Sequence, residues 1–136
     1  MEAIDHLDLV VSDLERGLDF YGKVLEPLDY VRRSEITGEE GERVVYLGRA
    51  EGRGSLSLRE AHDGREQRPF DRYDLGVHHI CLAASSREVV NRVHEIAREA
   101  GAEIENEPQE FGYSPGYYAV FFHDPDGIKL EVLHRP

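Results

Sequence analysis

The chain has 136 residues, of which 40% are hydrophobic and 32% charged, and its formal net charge is −12 at pH 7. This length suits one domain, and no apolar run approaches the roughly 18 residues that a membrane helix needs. The negative charge repels phosphate backbones and anionic lipid, and the basic residues are scattered, so we expect neither nucleic acid nor a membrane as a partner. A single cysteine excludes an internal disulfide, and the N-terminus lacks a secretory pattern, so we expect a cytoplasmic protein.

The first half of the chain predicts the element order βαβββ. Residues 4 to 11 alternate as a strand does, with His6 and Asp8 on one face. A capping-box pattern at Ser12 and Glu15 then begins a helix, whose apolar residues recur at helical spacing until Pro27. Three strand-like runs follow, separated by glycine-rich and charged turns: residues 28 to 36, 42 to 47 and 55 to 60.

The second half predicts the same order of elements. Residues 77 to 84 read as a strand, Ser85 and Glu88 cap a helix, and three strands follow at 102 to 107, 117 to 123 and 128 to 134. His6 and His79 fall at equivalent points of the two halves, which indicates a tandem duplication. We therefore expect an α+β fold and a single domain over 1–136. It is built from module 1–60 and module 77–136, joined by a loop at 61–76.

Three polar side chains are expected to share the inner faces of these modules. His6 and His79 lie on the first strands of the two halves, and Glu131 alternates with apolar neighbours on the last strand. A single histidine is more often a surface residue than a ligand. Two histidines at equivalent positions of repeated units, with a carboxylate on the matching face, rarely arise by chance. Two imidazoles and one carboxylate form a facial triad for a divalent metal such as Zn, Ni, Mn or Fe. The other histidines lack this support, and His78 is expected to face the helix layer.

Three segments of the chain together resemble the vicinal-oxygen-chelate superfamily: residues 4 to 21, 77 to 80 and 124 to 131. That group includes glyoxalase I, methylmalonyl-CoA epimerase, extradiol dioxygenases, fosfomycin-resistance proteins and bleomycin-binding proteins. The resemblance implies two βαβββ modules that form a cup-shaped mixed sheet with the helices outside. It also implies a divalent metal held by His6, His79 and Glu131, with Glu131 as the catalytic group, and a small substrate that chelates the metal through two neighbouring oxygens. Superfamily members often form homodimers, with the site inside one chain or across two.

The last strand of the first module departs from the glyoxalase pattern, which places a fourth ligand, Glu or Gln, on that strand. If Leu56 and Leu58 face the helix, then Ser57 and Arg59 face the cavity, and no carboxylate does. Glu60 would reach the cavity only through a bulge or a twist. We expect Ser57 and Arg59 to contact substrate, with Arg59 holding an anionic group, and Tyr117 to provide an aromatic wall or a phenolic acid.

Three functions remain open from the sequence. The leading one is a metal-dependent glyoxalase-like enzyme of the lyase or isomerase type, acting on a small oxygenated molecule. The second is an extradiol-type dioxygenase or a fosfomycin-type thiol transferase that uses the same three ligands. The third is a drug-binding module of the bleomycin-resistance kind, which the intact ligand set and the absence of tryptophan disfavour.

Overall fold

A computed structural model describes residues 4–62 and 69–136 of the chain. It divides into two compact units, Met1–Arg68 and Pro69–Pro136. The elements of unit 1 are β1 (His6–Val11), α1 (Leu14–Val24), a 3-10 turn (Glu26–Leu28), β2 (Tyr30–Thr37), β3 (Arg43–Arg49) and β4 (Ser55–Glu60). The elements of unit 2 are β5 (Ile80–Ala83), α2 (Arg87–Glu99), β6 (Ile104–Glu110), β7 (Tyr118–His123) and β8 (Lys129–His134).

Each unit contains one four-stranded mixed sheet with the same topology. The strand orders are β1-β4-β3-β2 and β5-β8-β7-β6. The β1–β4 and β5–β8 pairs are parallel and the others are antiparallel. The predicted α+β fold with two βαβββ modules is therefore confirmed. The single-domain boundaries remain a prediction, and part of the expected loop 61–76, residues 63–68, lies outside the described residues.

In unit 1, helix α1 covers one face of the sheet. Gly17 lies so close to this face that a Cβ added there would be 3.2 Å from Val11 Cγ2 and 3.4 Å from Leu58 Cδ1. Val11 and Leu58 are buried beneath the helix. Because side chains alternate along a strand, His6, Asp8, Ser57 and Arg59 lie on the opposite face.

Unit 2 follows the same plan. Helix α2 contacts β6, β7 and β8, and its side chains Val90, Val93 and Ala97 are buried. The apolar side chains of β7 and β8 are buried as well: Val120, Phe122, Leu130 and Val132. The alternate positions of these strands lie on the other face of the sheet, where Phe121 is in register with Glu131 and His123 with Lys129. This face therefore carries one carboxylate, one imidazole and one ammonium group close together.

Both helices begin one residue later than the capping patterns predict. The N-cap of α1 is Asp13, which accepts a hydrogen bond from the Arg16 amide at 3.0 Å, while the Ser12 hydroxyl instead accepts from the Arg16 guanidinium. The N-cap of α2 is Ser86, whose hydroxyl accepts from the Val89 amide at 3.2 Å. In each case the neighbouring residue is an equally good capping residue, so residue type alone did not select the right one.

The predicted turn at residues 124 to 127 sets the start of β8. The Asp124 carboxylate accepts from the amides of Asp126 and Ile128, and Gly127 adopts a positive φ of 87° that favours glycine. Among the described residues, no helix is both long and apolar enough to cross a membrane.

Candidate metal centre

His79 and Glu131 come together in unit 2. His79 lies immediately before β5, not within the strand as predicted, and Glu131 lies on β8 in register with Cys81. The His79 Nε2 atom is 3.1 Å from Glu131 Oε2. The pairing of a ring nitrogen with a carboxylate oxygen places two of the three predicted donors side by side.

Glu131 is a buried carboxylate, with only 2% of the residue exposed. Its Oε1 atom accepts a hydrogen bond from the Tyr117 hydroxyl, and the Cys81 thiol also donates a hydrogen bond to the Glu131 carboxylate. Over residues 4–62 and 69–136, no lysine or arginine forms an ion pair with Glu131. The direct partners of the negative charge are thus two neutral groups and one imidazole, while the charge of Arg135 acts on Tyr117 and Cys81 without an ion pair to Glu131. A bound cation would stabilise this carboxylate.

The two neutral neighbours are electrostatically perturbed by this carboxylate. The pKa of Tyr117 is raised above its ordinary value, first by desolvation and then by Glu131. The pKa of Cys81 is raised to about 12 for the same two reasons. The Cys81 residue is exposed as a whole, but its thiol is partly desolvated. Both groups therefore stay protonated at neutral pH and act as hydrogen-bond donors to Glu131.

His78 does not face the helix layer, so that prediction is wrong. It is exposed, and its Nδ1 lies 2.8 Å from Nδ1 of His79. The ring of Tyr73 contacts it edge-on, with centroids 5.1 Å apart. Because β5 begins only at Ile80, the backbone at residue 78 is outside the sheet, and strand alternation does not apply to it. The pKa of His78 is lowered, first by desolvation and then by His79, Lys129 and Arg72.

His6 lies at the first residue of β1 in unit 1. Its Nδ1 is 2.9 Å from Asp5 Oδ1, and 56% of the side chain is exposed. The hydrogen bond to Asp5 is the main reason that the pKa of His6 is raised. Asp5 and His78 therefore occupy the same position relative to the two predicted histidine ligands, and each engages Nδ1 of the histidine that follows it.

Neither unit alone carries the complete predicted ligand set. In the described parts of the chain, no three His, Cys, Asp or Glu side chains cluster closely enough to hold a metal ion. His79 and Glu131 lie in unit 2, and His6 lies in unit 1. The role of the three residues as metal ligands stays a prediction.

Comparisons with known proteins agree with the topology. Residues 3–132 match the family model of the Glyoxalase/Bleomycin resistance protein/Dioxygenase superfamily. The chain belongs to this superfamily. It is 27% identical over 129 residues to the uncharacterized protein YqjT of Bacillus subtilis (strain 168), covering 94% of this chain and 95% of that protein.

Two other similarities concern a named enzyme and a solved fold. The chain is 28% identical over 132 residues to a lactoylglutathione lyase of Neisseria meningitidis serogroup A, covering 96% of this chain and 88% of that enzyme. A solved glyoxylase/bleomycin resistance protein/dioxygenase domain from Frankia sp. EAN1pec has a TM-score of 0.84 at 24% identity, covering 100% of this chain and 99% of that one. The second similarity supports the fold of this superfamily member, not its reaction.

The two units of this superfamily member differ at the position of the Glu131 carboxylate, the predicted catalytic group. Glu131 is in register with Cys81 and Phe121, and the residue in the same register of unit 1 is Ser57, which pairs with Asp8 and Tyr46. Ser57 is fully buried and donates a hydrogen bond to Asp8 Oδ1. The first module therefore has a hydroxyl where the second has a carboxylate, as the sequence predicts.

Arg59 and Asp8 form an ion pair on this face of unit 1. Arg59 Nε donates to Asp8 Oδ2 at 2.7 Å, and its Nη1 donates to Glu42 Oε1 at 2.6 Å. Desolvation would raise the pKa of Asp8, but the hydrogen bonds from Ser57 and Arg59 outweigh it, and the pKa is lowered. Arg59 lies on the predicted face, but two carboxylates already offset its charge. The geometry favours Arg59 as a residue that organises Asp8.

Glu60 is not brought to the His6 face. The β1–β4 register runs without a bulge from Ser55 to Glu60, and Glu60 is in register with Val11, whose side chain lies under α1. The Glu60 carboxylate instead accepts from the Arg43 amide at 3.4 Å. The bulge that a fourth ligand at Glu60 would require is absent from this strand.

A cluster of aromatic side chains lies next to Glu131, and Tyr117 connects this cluster to the carboxylate by its hydrogen bond. Tyr113, which is 70% exposed, stacks on Phe111 at 5.5 Å, and it meets Tyr117 edge-on at 5.2 Å. Phe111 also contacts Phe121, which lies next to His79. An open pocket of about 600 Å³ is lined by residues 110 to 116. The predicted aromatic wall around Tyr117 thus has a physical counterpart in unit 2, and its contact with substrate stays a prediction.

Sequence reasoning missed the residues that orient the two histidines. Asp5, His78 and Tyr73 were not singled out for this purpose, yet the first two bond to Nδ1 of the predicted ligands. The available signal was their position, immediately before each repeated histidine. Polar residues adjacent to a repeated ligand are candidates for the outer hydrogen bond that a metal-binding imidazole requires.

Proposed function

We propose that this protein is a metal-dependent glyoxalase-like enzyme of the lyase or isomerase type. Its substrate is a small molecule that chelates a divalent metal (Zn, Ni, Mn or Fe) through two neighbouring oxygens. The ligands are His6, His79 and Glu131, and His6 comes from the same chain or from a second copy in a homodimer. The bound metal would act as a Lewis acid that stabilises negative charge on the substrate oxygens.

The observation that carries this proposal is the approach of His79 Nε2 to the buried Glu131 carboxylate at 3.1 Å. A histidine binds a metal through one nitrogen while the other donates to a neighbouring acceptor. When His79 Nδ1 donates to His78, its Nε2 carries a lone pair, and two electron-rich atoms then face each other. A cation bound between these two atoms removes their repulsion. In the other tautomer of His79, Nε2 carries the proton and donates a hydrogen bond directly to Glu131.

The His6 ring is oriented as the His79 ring is, with Nδ1 bonded to the preceding residue. Its Nδ1 is engaged by Asp5, which leaves Nε2 for a ligand. Two imidazole nitrogens and one carboxylate are the donor types that Zn, Ni, Mn and Fe accept. The repetition of the Nδ1 partner in both units supports a shared task for the two histidines.

The other site residues have these proposed roles. Tyr117 holds Glu131 through a hydrogen bond and contacts substrate from the aromatic side. Glu131 is the proposed catalytic group, since it is the predicted ligand that can also exchange a proton with a bound substrate. Ser57 contributes a hydroxyl to the substrate cavity, and Arg59 keeps the neighbouring Asp8 ionised and in place.

One observation favours a second candidate function. Ser57 stands in the register of Glu131, so the first module offers no carboxylate on β4 for proton transfer between adjacent carbons. Extradiol-type ring cleavage and fosfomycin-type thiol transfer use three protein ligands and do not need that carboxylate. A non-catalytic drug-binding module would need no metal at all.

The test begins with metal affinity and proceeds to turnover. Metal-free protein is titrated with Ni, Zn, Mn and Fe by calorimetry, and bound metal is counted by elemental analysis. We expect one metal per site in the wild type and a loss of affinity in His6→Ala, His79→Ala and Glu131→Gln. The matched control is His94→Gln, a histidine on α2, which should bind metal as the wild type does.

Turnover assays then separate the reaction classes. Lactoylglutathione is the first compound to assay, because a relative carries the name lactoylglutathione lyase. Product formed without oxygen supports the lyase or isomerase assignment. Turnover of catechols that stops when oxygen is removed would replace it with the dioxygenase, and a wild type that binds none of the four metals would leave only the binding module.

A further inference from the structure

A second cluster of charged side chains in unit 2 surrounds Glu105 on β6. Glu105 Oε1 lies 2.7 Å from Arg72 Nη1 and 2.9 Å from His123 Nε2, and Oε2 lies 2.9 Å from Lys129 Nζ. Arg72 belongs to the segment that precedes β5, so the cluster joins this segment to three strands. Glu105, Arg72, His123 and Lys129 form the Glu105 cluster.

The Glu105 cluster contains more positive than negative charge. Two permanent cations share one carboxylate, which is the only one within ion-pair distance of Arg72 and Lys129 in the described parts of the chain. The side chains of Lys129 and His123 are each 13% exposed, and that of Arg72 is 32% exposed. Lys129 and His123 are thus largely buried, whereas Arg72 and Glu105 reach solvent, and a further anion that enters from solvent would offset the excess positive charge. The chain as a whole has a net charge of −12, so this excess is a local feature.

The ionisation of Glu105 agrees with this positive surrounding. Desolvation alone would raise the pKa of Glu105, but hydrogen bonds from Lys129, His123 and Arg72 outweigh it and lower the pKa to about 2. The carboxylate thus remains ionised at neutral pH and accepts hydrogen bonds from its three partners.

The Glu105 cluster adjoins the candidate metal centre on one face of the sheet. Lys129 and Glu131 are two residues apart on β8, which corresponds to about 7 Å along the strand. Lys129 Nζ lies 4.8 Å over the ring of Phe121, and the same ring is 6.2 Å from the ring of His79. One phenyl ring therefore separates the cationic groups from the predicted ligands. A small molecule can span that distance.

We propose that Lys129 and Arg72 of the Glu105 cluster bind an anionic group of the substrate, a carboxylate or a phosphate, on the same sheet face as Glu131. A guanidinium has five N–H donors and an ammonium has three, so both retain donors beyond the bonds to Glu105. Oxyanions form charge-assisted hydrogen bonds with both groups. Naming the ligand as the substrate rests on the proposed function, whereas anion binding by itself does not.

The test uses anion binding to metal-free full-length protein at low ionic strength. Inorganic phosphate and acetate are titrated separately, by calorimetry and by NMR of the histidine rings. We expect saturable binding that shifts the His123 resonances. Lys129→Gln and Arg72→Gln should each weaken it about tenfold or more, as expected for the loss of one charged hydrogen bond. Lys23→Gln is the matched control: it makes the same charge change on the exposed face of α1, where Lys23 pairs with Asp19.

The outcomes separate the ligands and the two proposals. Tighter binding of phosphate assigns a phosphate group, and tighter binding of acetate assigns a carboxylate. Arg72→Gln carries the test if Lys129→Gln does not fold. Absence of binding, or equal weakening in Lys23→Gln, would overturn the proposal. His79→Ala should lose metal and still bind the anion, so metal retained in that variant contradicts only the proposed function.

Discussion

Replacing Glu105 with glutamine should destabilise the protein and change how its stability depends on pH. Glutamine keeps the size of the side chain and removes the charge that Arg72, His123 and Lys129 share. The substitution leaves Lys129, which is 13% exposed, without a carboxylate partner. The structure therefore predicts a loss at neutral pH that a surface ion pair would not show.

The size of the effect follows from the pKa of Glu105, which falls from an ordinary 4.5 to about 2. At about 1.4 kcal/mol for each pKa unit, this corresponds to about 3 kcal/mol. Solvent screening of a side chain that is 27% exposed reduces the expected figure to about 1 to 2 kcal/mol. Because the folded state has the lower pKa, this stabilisation is complete above about pH 4.5 and is lost as the pH falls towards 2.

Urea unfolding measured from pH 7 to pH 2 tests this reasoning. The wild type should lose about 1 to 2 kcal/mol more than Glu105→Gln between pH 4.5 and pH 2, and the two curves should converge at the acid end. Glu95→Gln is the control, since Glu95 forms only an exposed pair with Arg92 on α2 and should behave as the wild type. Parallel wild-type and Glu105→Gln curves across this pH range would refute the assigned role of Glu105.

Three further predictions concern the buried carboxylate of β8, its neighbouring imidazole and helix α1. Tyr117→Phe removes a hydrogen bond to that carboxylate and should cost about 1 to 3 kcal/mol in urea unfolding, whereas Tyr113→Phe, at an exposed position, should cost almost nothing. His78→Ala should weaken metal binding about tenfold in calorimetry, because it removes the partner of the adjacent Nδ1; unchanged affinity would contradict this orienting role. Gly22→Ala should raise unfolding free energy by about 0.5 to 1 kcal/mol, since nothing lies within 4 Å of the added Cβ, while Gly17→Ala should fail to do so because its Cβ meets β1 at 3.2 Å.

The fold was largely predictable because its signals are local and repeated. Alternation of apolar side chains gives β4 at Ser55–Glu60 with the predicted bounds, and the β7 and β8 boundaries fall within one residue of the prediction. The first strand of the second half was predicted too long, since Val77 to His79 precede β5 although their pattern resembles a strand. Sheet pairing, not side-chain pattern, determines where such a run stops being a strand.

The candidate site was predictable only in part, for a physical reason. Residue spacing relates side chains on one strand, so it places Glu131 and Lys129 on a common face. It does not relate a side chain to a segment outside the sheet. The contacts of His78 with His79 and of Arg72 with Glu105 both involve such segments, and both were absent from the sequence prediction.

Asp8 and Glu131, which lie on the sheet faces opposite the helices, differ in how their charge is offset, and this difference supports the proposal of a metal at Glu131. Asp8 in unit 1 bonds to the Arg59 guanidinium, so a cation of the protein already offsets its charge. Glu131 in unit 2 is more deeply buried and bonds to a phenol, a thiol and an imidazole, which carry no permanent positive charge. In the described parts of the chain no lysine or arginine pairs with the buried Glu131, so a divalent cation would supply a charge partner of the kind that Asp8 already has in Arg59. Metal binding should therefore raise the melting temperature of the wild type and fail to raise that of Glu131→Gln, while Arg59→Gln should keep the metal-dependent increase.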